Sequence, residues 1–159
     1  MSESSSQARL AIVCGLPGSG KTTLATRLEA EYGAVRFSPD DWMDDLGINL
    51  HDAAARAKIE RLQWKLAQRL LATGGKVVIE WGTWARAERD ALRTAARELS
   101  AAVELHYLQA EEDVLFERIS RRGRENPPIP RKAMAEWKYL FEAPTSEELA
   151  LFDEPLLRD

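Results

Sequence analysis

The stretch "GLPGSGKT", residues 15–22, limits what this chain can fold into more than any other feature of its sequence. It follows the apolar run "LAIVC" and leads into "TLATRLEAEY", so it lies between a predicted buried strand and a predicted helix. The pattern G-x-x-x-x-G-K-[ST] in a strand-to-helix setting is typical of a phosphate-binding loop. A glycine-rich turn without a ligand is the alternative, which the complete pattern in its required setting disfavours.

Each type of residue in this loop has a part in holding a nucleotide. Glycines allow backbone angles that turn amide N–H groups inward, and with the helix N-terminus these amides form a nest for phosphates. Lys21 adds a positive charge near the β- and γ-phosphates, and the Thr22 hydroxyl is a ligand for Mg²⁺. We therefore predict that ATP and Mg²⁺ bind here. The loop residues predicted to contact the cofactor are Gly15, Pro17, Gly18, Ser19, Gly20, Lys21, Thr22 and Thr23.

The rest of the pattern predicts strands that alternate with helices, which favours a parallel sheet. Predicted strands span residues 10–14, 34–38, 76–80 and 102–108. Predicted helices span residues 21–32, 59–70, 86–99, 111–122 and 132–142. We predict an α/β fold, a P-loop NTPase three-layer sandwich with a parallel sheet of four or five strands. Residues 143–159 show no pattern that assigns an element.

Length and composition restrict the organisation and the partners of the chain. Its 159 residues suit a single domain, which we assign to residues 9–159, after a polar leader at residues 1–8 that is predicted to be disordered. The net charge of −4 gives no overall attraction to nucleic acid, and no stretch approaches the roughly 20 apolar residues that cross a bilayer. A single cysteine excludes an internal disulfide, and a cytoplasmic location is the simplest prediction. The sequence carries no signal for an oligomeric state.

The acidic stretch "SPDDW", residues 38–42, indicates a reaction at the bound phosphates. It follows the second predicted strand, and ligands of open α/β sheets bind beyond the carboxyl ends of the strands. Asp40 is therefore predicted to face the γ-phosphate and to act as the catalytic base that accepts the proton of an attacking hydroxyl. Asp41 is a second candidate for this role. The structural alternative is that Ser38 or one of the aspartates caps a short helix.

Side chains near the exits of the second and third predicted strands are candidates for the substrate site. Glu80 ends the third strand and is predicted to hold a substrate hydroxyl or a metal-bound water. Trp81 and Trp84, with Trp42 at the neighbouring strand exit, suit the walls of a pocket for a planar or sugar-like acceptor. Core or rim packing is the alternative for these tryptophans. Arg89 is a further candidate for substrate binding, with a surface position as its alternative.

Arginines are concentrated in "FERISRRGRE", residues 116–125. Arg118 and Arg122 lie four residues apart on one face of a predicted helix, and the prolines that follow prevent its continuation. We predict an arginine-bearing lid at about residues 118–132 that folds over ATP. In it, Arg122 is a catalytic residue that neutralises charge on the transferring phosphoryl group. A solvated basic face is the alternative.

Together these stretches resemble the small P-loop kinases that include adenylate kinase, gluconate kinase, chloramphenicol phosphotransferase, zeta toxin and the kinase domain of polynucleotide kinase. The resemblance covers about residues 9–125. "GLPGSGKTT" followed by "SPDDW" is similar to the polynucleotide kinase pair of a phosphate loop and an Asp-Asp-aromatic stretch, which implies that Asp40 activates the hydroxyl acceptor. "ERISRRGRE" is similar to the lid entry of adenylate kinase, which implies adenine packing for Arg118 and phosphate contacts for Arg122.

Two departures from these families bear on the acceptor. Polynucleotide kinase has arginines flanking its Asp-Asp pair where this chain has Pro39 and Met43, which disfavours a polynucleotide. Many relatives end the third strand with Asp-Gly-Thr, whereas Trp81 stands here in the acidic position after Glu80. The leading hypothesis is an ATP- and Mg²⁺-dependent kinase that phosphorylates a hydroxyl of a small molecule. The alternatives are a polynucleotide 5′-hydroxyl kinase and an NTP-hydrolysing switch with no acceptor.

Overall fold

A parallel sheet of four strands lies at the centre of the structure, a computed structural model that describes residues 7–157. The strands are β1 (Arg9–Cys14), β2 (Val35–Phe37), β3 (Lys76–Gly82) and β4 (Ala102–Tyr107). Their order across the sheet is β2-β3-β1-β4, and each neighbouring pair is parallel. The prediction of a parallel sheet with four or five strands is confirmed.

Burial along the strands follows from their order in the sheet. β1 has a neighbour on each side, and all six of its residues are buried because helices cover both faces of the sheet. β2 is an edge strand, and its first residue, Val35, is exposed. The wholly apolar run before the phosphate loop therefore marks a central strand of the sheet.

Seven helices pack around the sheet within residues 7–157. They are α1 (Lys21–Tyr32), α2 (Pro39–Leu46), α3 (Ala53–Ala72), α4 (Arg86–Glu98), α5 (Glu112–Arg122), α6 (Lys132–Leu140) and α7 (Ser146–Leu149). On one face of the sheet, Leu28 of α1 shares a buried cluster with Val13. On the other face, Leu71 of α3 and Leu92 of α4 share a cluster with Ile12. Helices on both faces make the three layers that the sequence predicts.

Two helix starts differ from the prediction because a side chain caps each of them. Ser38 is the N-cap of α2, and its hydroxyl accepts a hydrogen bond from the backbone N–H of Asp41 at 3.3 Å. Helix capping, the structural alternative for this stretch, therefore occurs at Ser38. α3 begins before the predicted residue 59, because the carboxylate of Asp52 accepts from the N–H of Ala55 at 2.9 Å. Both starts lie beside the carboxyl end of the sheet.

The segment after α7 pairs with the free edge of β4. The N–H of Asp153 donates to the carbonyl of Val103 at 2.7 Å, and the N–H of Val103 donates to the carboxylate of Asp153 at 2.7 Å. These two bonds satisfy backbone groups that an edge strand would leave open. The C-terminal residues therefore close part of the sheet edge, although no pattern in their sequence indicated it.

Two expectations concern the chain start and the membrane. Residues 1–6, most of the predicted leader, lie outside the described residues, while Ala8 is buried at the start of the core. Within residues 7–157, none of the helices has both the length and the apolar content that crossing a membrane demands.

Candidate active site

A cavity of about 480 Å³ opens at the carboxyl end of the sheet. The phosphate loop, the start of α2, the end of β3 and the segment around α5 contribute its walls. Its lining residues are Pro17, Gly18, Gly20, Lys21, Thr22, Thr23, Ser38, Asp40, Leu50, His51, Arg56, Glu80, Trp81, Gly82, Trp84, Arg118, Arg122, Arg124, Glu125, Ile129 and Trp137. The strand exits that the sequence singled out thus meet at one site.

The phosphate loop has the backbone that phosphate binding requires. Gly18 and Gly20 adopt φ angles of 83° and 101°, which residues with a Cβ rarely adopt. A Cβ on Gly18 would lie 2.7 Å from the carbonyl oxygen of Leu115, so glycine there also lets α5 approach the loop. Six of the eight predicted loop residues line the cavity, whereas Gly15 and Ser19 are part of the loop without lining it.

Lys21 is half-buried and held by the loop itself. Its Nζ donates to the carbonyl oxygens of Gly15 and Leu16, each at 3.0 Å. Burial lowers the pKa of Lys21 to about 8, although the nearby carboxylates of Glu80 and Asp40 act in the opposite direction. An anionic phosphate beside this ammonium would restore its charge, so Lys21 is suited to bind a nucleotide phosphate.

Thr22 and Glu80 form a polar pair at the start of α1. The Thr22 hydroxyl donates to Oε2 of Glu80 at 3.0 Å, and Oε1 of Glu80 forms an ion pair with Arg36. Burial raises the pKa of Glu80, while Arg36 and the Thr22 hydroxyl oppose that rise. Hydroxyl and carboxylate oxygens are the ligand types that Mg²⁺ prefers. Both residues line the cavity and can hold such an ion there.

The two aspartates of α2 face different surroundings. Asp40 lines the cavity, and its Oδ1 lies 2.6 Å from Nη1 of Arg56. Asp41 instead accepts from Arg36 at 2.7 Å and from Arg124 at 3.2 Å. Burial acts to raise the pKa of Asp41, but these two guanidinium groups outweigh it and hold that pKa below its ordinary value. Asp40 is therefore the aspartate whose position suits a reaction in the cavity.

The arginines of α5 lie against the phosphate loop. Nη1 of Arg118 donates to the carbonyl of Gly18 at 3.1 Å, and Nη2 of Arg122 pairs with Glu125 at 3.2 Å. Both arginines line the cavity, as does Arg124 on the loop that follows α5. Their closure over a nucleotide as a lid at residues 118–132 stays a prediction.

The tryptophans divide between cavity wall and core. Trp84 lines the cavity with Trp137, and their ring centroids lie 6.0 Å apart. Trp81 also reaches the lining, while its indole N–H donates to Gln63 at 2.8 Å. Trp42 does not line the cavity, because its ring packs edge-on against Phe37, with centroids 6.1 Å apart, beside the core. A role for Trp42 in binding the acceptor therefore has no support from its position and stays a prediction.

Arg89 is a buried residue with structural contacts, and its prediction as a substrate contact has no support from its position. Its relative exposure is 0%, and its Nε lies 2.6 Å from Oε2 of Glu148, which is 1% exposed. It also donates to the backbone carbonyls of Thr83 and Glu142 at 2.7 and 2.6 Å. Arg89 thus joins α4 to the segment after β3 and to the C-terminal residues, and it is not among the residues that line the cavity.

Several residues that line the cavity were not predicted from the sequence, because contacts between loops bring them together. Arg56 lies on α3, and His51 precedes that helix with Nε2 2.7 Å from the carbonyl oxygen of Pro127. Trp137 comes from α6. The N-cap Asp52 before a run of alanines is a signal that would have placed the start of α3, and with it Arg56, near the site.

The fold and the site define this chain as a protein with the fold of P-loop kinases. A phosphate loop lies between β1 and α1, and the acidic residue Glu80 lies near the end of β3, the strand that neighbours β1. Over residues 10–144 the sequence matches a family described as AAA domain, and the chain belongs to that family. A UPF0200 protein from Pyrobaculum aerophilum is 33% identical in an alignment of 124 positions, which covers 74% of this chain and 68% of that protein.

Solved structures with a similar fold include a chain of an RNA repair complex and a gluconokinase. The structure of the Pnkp1/Rnl/Hen1 RNA repair complex contains a chain that matches with a TM-score of 0.71 and 21% identity, over 92% of this chain and 47% of that one. A gluconokinase from Sinorhizobium meliloti matches with a TM-score of 0.57 and 22% identity, over 89% of this chain and 78% of that one. At these identities the likeness establishes the fold alone, and it confirms the resemblance to small P-loop kinases.

Proposed function

We propose that this protein is an ATP- and Mg²⁺-dependent phosphotransferase that transfers the γ-phosphate to a hydroxyl group of a small molecule in the cytoplasm. The observation that carries the proposal is the meeting of Asp40 and the phosphate loop in one cavity. A nucleotide-binding site without a reaction has no need of a carboxylate beside its phosphates. A hydroxyl acceptor needs a proton acceptor at that place.

The nucleotide would occupy the loop end of the cavity. The loop amides and Lys21 would bind the phosphates, and Arg118 and Arg122 would approach them from α5. Thr22 and Glu80 would hold Mg²⁺, since their oxygen atoms meet its ligand preference. When bound, this ion neutralises charge on the β- and γ-phosphates.

The proposed reaction assigns the proton to Asp40. The acceptor oxygen attacks the γ-phosphorus while its proton passes to the carboxylate of Asp40. The new oxygen–phosphorus bond forms as the bond from the γ-phosphorus to the bridging oxygen breaks, and ADP leaves with that electron pair. Arg122 would offset the negative charge on the transferring group. Release of the proton from Asp40 to water restores the base.

The acceptor end of the cavity favours a small molecule. Trp84 and Trp137 present aromatic surface there, which suits a compact organic body. The likeness to a gluconokinase agrees with this choice, and the likeness to a chain of an RNA repair complex supports a 5′-hydroxyl polynucleotide as the second candidate. Met43, which stands where polynucleotide kinase has an arginine, is buried and offers no cation to a nucleic acid.

A phosphorylation screen tests the proposal. The protein, ATP and Mg²⁺ would be incubated with a panel of sugars, sugar acids, nucleosides and a 5′-hydroxyl oligonucleotide, and products would be identified by mass spectrometry. We expect ADP release to accelerate with at least one small hydroxyl compound, and Lys21→Ala to abolish that acceleration. Transfer to the oligonucleotide alone would favour the second candidate. ATP hydrolysis unaffected by every compound would favour a switch without an acceptor.

A further inference from the structure

Arg56 occupies a position that helix energetics disfavours. It is the fourth residue of α3, so its positive charge lies near the positive end of the helix dipole, where acidic side chains are favoured. Its side chain is 32% exposed and lines the cavity. An arginine placed in this way needs an anionic partner, and in this structure the partner is Asp40.

The ion pair between Arg56 and Asp40 opposes the task proposed for Asp40. Nη1 of Arg56 lies 2.6 Å from Oδ1 of Asp40, and Nη2 donates to the carbonyl of Leu50 at 3.0 Å. At this distance the guanidinium occupies a carboxylate oxygen that would otherwise be open to the proton of an acceptor hydroxyl. That oxygen is released when another anion takes up Arg56.

The other guanidinium groups that line the cavity are held by other residues. Arg118 donates to the carbonyl of Gly18, and Arg122 pairs with Glu125. Arg124 pairs with Asp41 and Asp44, neither of which lines the cavity. Arg118 and Arg122 lie close to the phosphate loop and would serve the nucleotide. Among the lining residues within 7–157, Arg56 is the guanidinium paired with the proposed base.

We propose that the acceptor carries an anionic group, a carboxylate or a phosphate monoester, which binds Arg56 and draws it away from Asp40. A guanidinium forms two parallel hydrogen bonds with either anion. The exchange replaces one ion pair by another and breaks no covalent bond, and it frees the carboxylate oxygen of Asp40 when the correct acceptor is bound. This inference rests on the proposed kinase function and names the class of its substrate.

Matched neutral and anionic acceptors test this inference. One set is a hexose, the corresponding hexuronic acid and a hexose monophosphate, and a second set is a nucleoside and its monophosphate. Phosphoryl transfer would be measured by mass spectrometry, and binding of each compound to the ADP-saturated protein by calorimetry. We expect an anionic member to exceed its neutral partner about tenfold or more in kcat/KM or in affinity, since hydrogen bonds to charged groups are strong.

Variants of α3 identify Arg56 as the origin of the preference. Arg56→Ala should bring the anionic-to-neutral ratio of kcat/KM close to one, chiefly through a higher KM for the anionic compound. Arg56→Lys should keep part of the ratio, because an ammonium retains the charge but not the paired hydrogen bonds. Arg61→Ala, which removes an exposed arginine from the same helix outside the cavity lining, should leave the ratio unchanged.

The outcomes separate this inference from the proposed function. Transfer to neutral compounds with kcat/KM equal to or above that of their anionic partners would overturn the inference and leave the kinase function standing. Transfer to no compound, in either set or in the wider screen, would contradict the kinase function. In that case the binding data still decide the inference: an anion preference lost in Arg56→Ala supports it, and the absence of a preference overturns it.

Discussion

Nη2 of Arg124 lies 3.2 Å from Oδ1 of Asp41, and this pair joins the loop after α5 to α2 across 83 residues of sequence. The same aspartate accepts from Arg36 at 2.7 Å, and Arg36 pairs with Glu80, which accepts from Thr22 at 3.0 Å. An unbroken series of contacts therefore connects the proposed Mg²⁺ ligand to the segment of the predicted lid. Asp41 therefore links the proposed Mg²⁺ ligand to the predicted lid, although it does not line the cavity.

Replacing Asp41 should loosen the predicted lid. Asp41→Asn weakens its pairs with Arg36 and Arg124, and pairs of this exposure each contribute up to about 1 kcal/mol. We expect the amides that follow α5 to exchange hydrogen about two- to fivefold faster, with a higher KM for ATP. Hydrogen exchange followed by mass spectrometry measures this. Asp45→Asn, at an exposed position of the same helix, is the control, and equal exchange in both variants would refute the link.

Replacing Asp40 should affect the chemical step more than nucleotide binding. Removal of a general base typically lowers the rate by about 10²- to 10⁴-fold, so we expect Asp40→Asn to lower kcat within that range. ATP affinity, measured by calorimetry, should change only a few-fold. Asp41→Asn is the matched comparison one residue away. A greater loss of kcat in Asp41→Asn than in Asp40→Asn would reverse the assignment of the two aspartates.

The sequence predicted the parts of the site that depend on local chain order. Lys21 follows a loop of fixed pattern, and Asp40 follows a strand of a parallel sheet, so motif and topology together place both at one edge. Neither placement requires knowledge of how distant segments pack. The same reasoning gave the order of strands and helices, because buried runs and helical periodicity are also local.

The environments of Trp42 and Arg89 could not be predicted from the sequence, because they depend on side-chain orientation and on contacts between distant segments. Ser38 caps a helix, and residues 40 and 42 are related by about 200° of rotation around the helix axis. A cavity-facing Asp40 therefore turns Trp42 toward the core. Arg89 meets Glu148 across 59 residues, in a segment without a recognisable pattern. A single sequence carries no signal for such a pairing.

Replacing Glu80 should weaken the binding of Mg²⁺ beside Thr22. Glu80→Gln keeps an oxygen near the Thr22 hydroxyl but removes the negative charge and the ion pair with Arg36. Loss of a group that orients a metal ligand typically costs about 10- to 100-fold in metal affinity, so we expect a rise of that size in the Mg²⁺ concentration for half-maximal rate. Binding of ATP with and without Mg²⁺ gives a second readout. Glu29→Gln, which removes another carboxylate beside Arg36, should leave the Mg²⁺ response unchanged.

ATP affinity should fall as the pH rises through the pKa of Lys21. This pKa is lowered to about 8, so the free protein loses the Lys21 charge above that pH. The charged ammonium binds the phosphates, and ATP binding should therefore take up a proton near pH 8. Calorimetry between pH 7 and 9, in buffers of different ionisation enthalpy, measures both the affinity and the proton uptake. An affinity independent of pH over this range, without proton uptake, would contradict the assignment.

The buried pair of Arg89 and Glu148 should be a major determinant of stability. Arg89→Ala leaves the Glu148 carboxylate buried without its cation, which typically costs about 3–5 kcal/mol in the free energy of unfolding. The double variant Arg89→Met with Glu148→Leu removes both charges and should recover most of that loss. Urea denaturation measures the three free energies. Arg86→Ala, at a partly exposed arginine of the same helix, should cost less than about 1 kcal/mol. If Arg89→Ala is no more destabilising than Arg86→Ala, the pair does not hold the C-terminal segment in place.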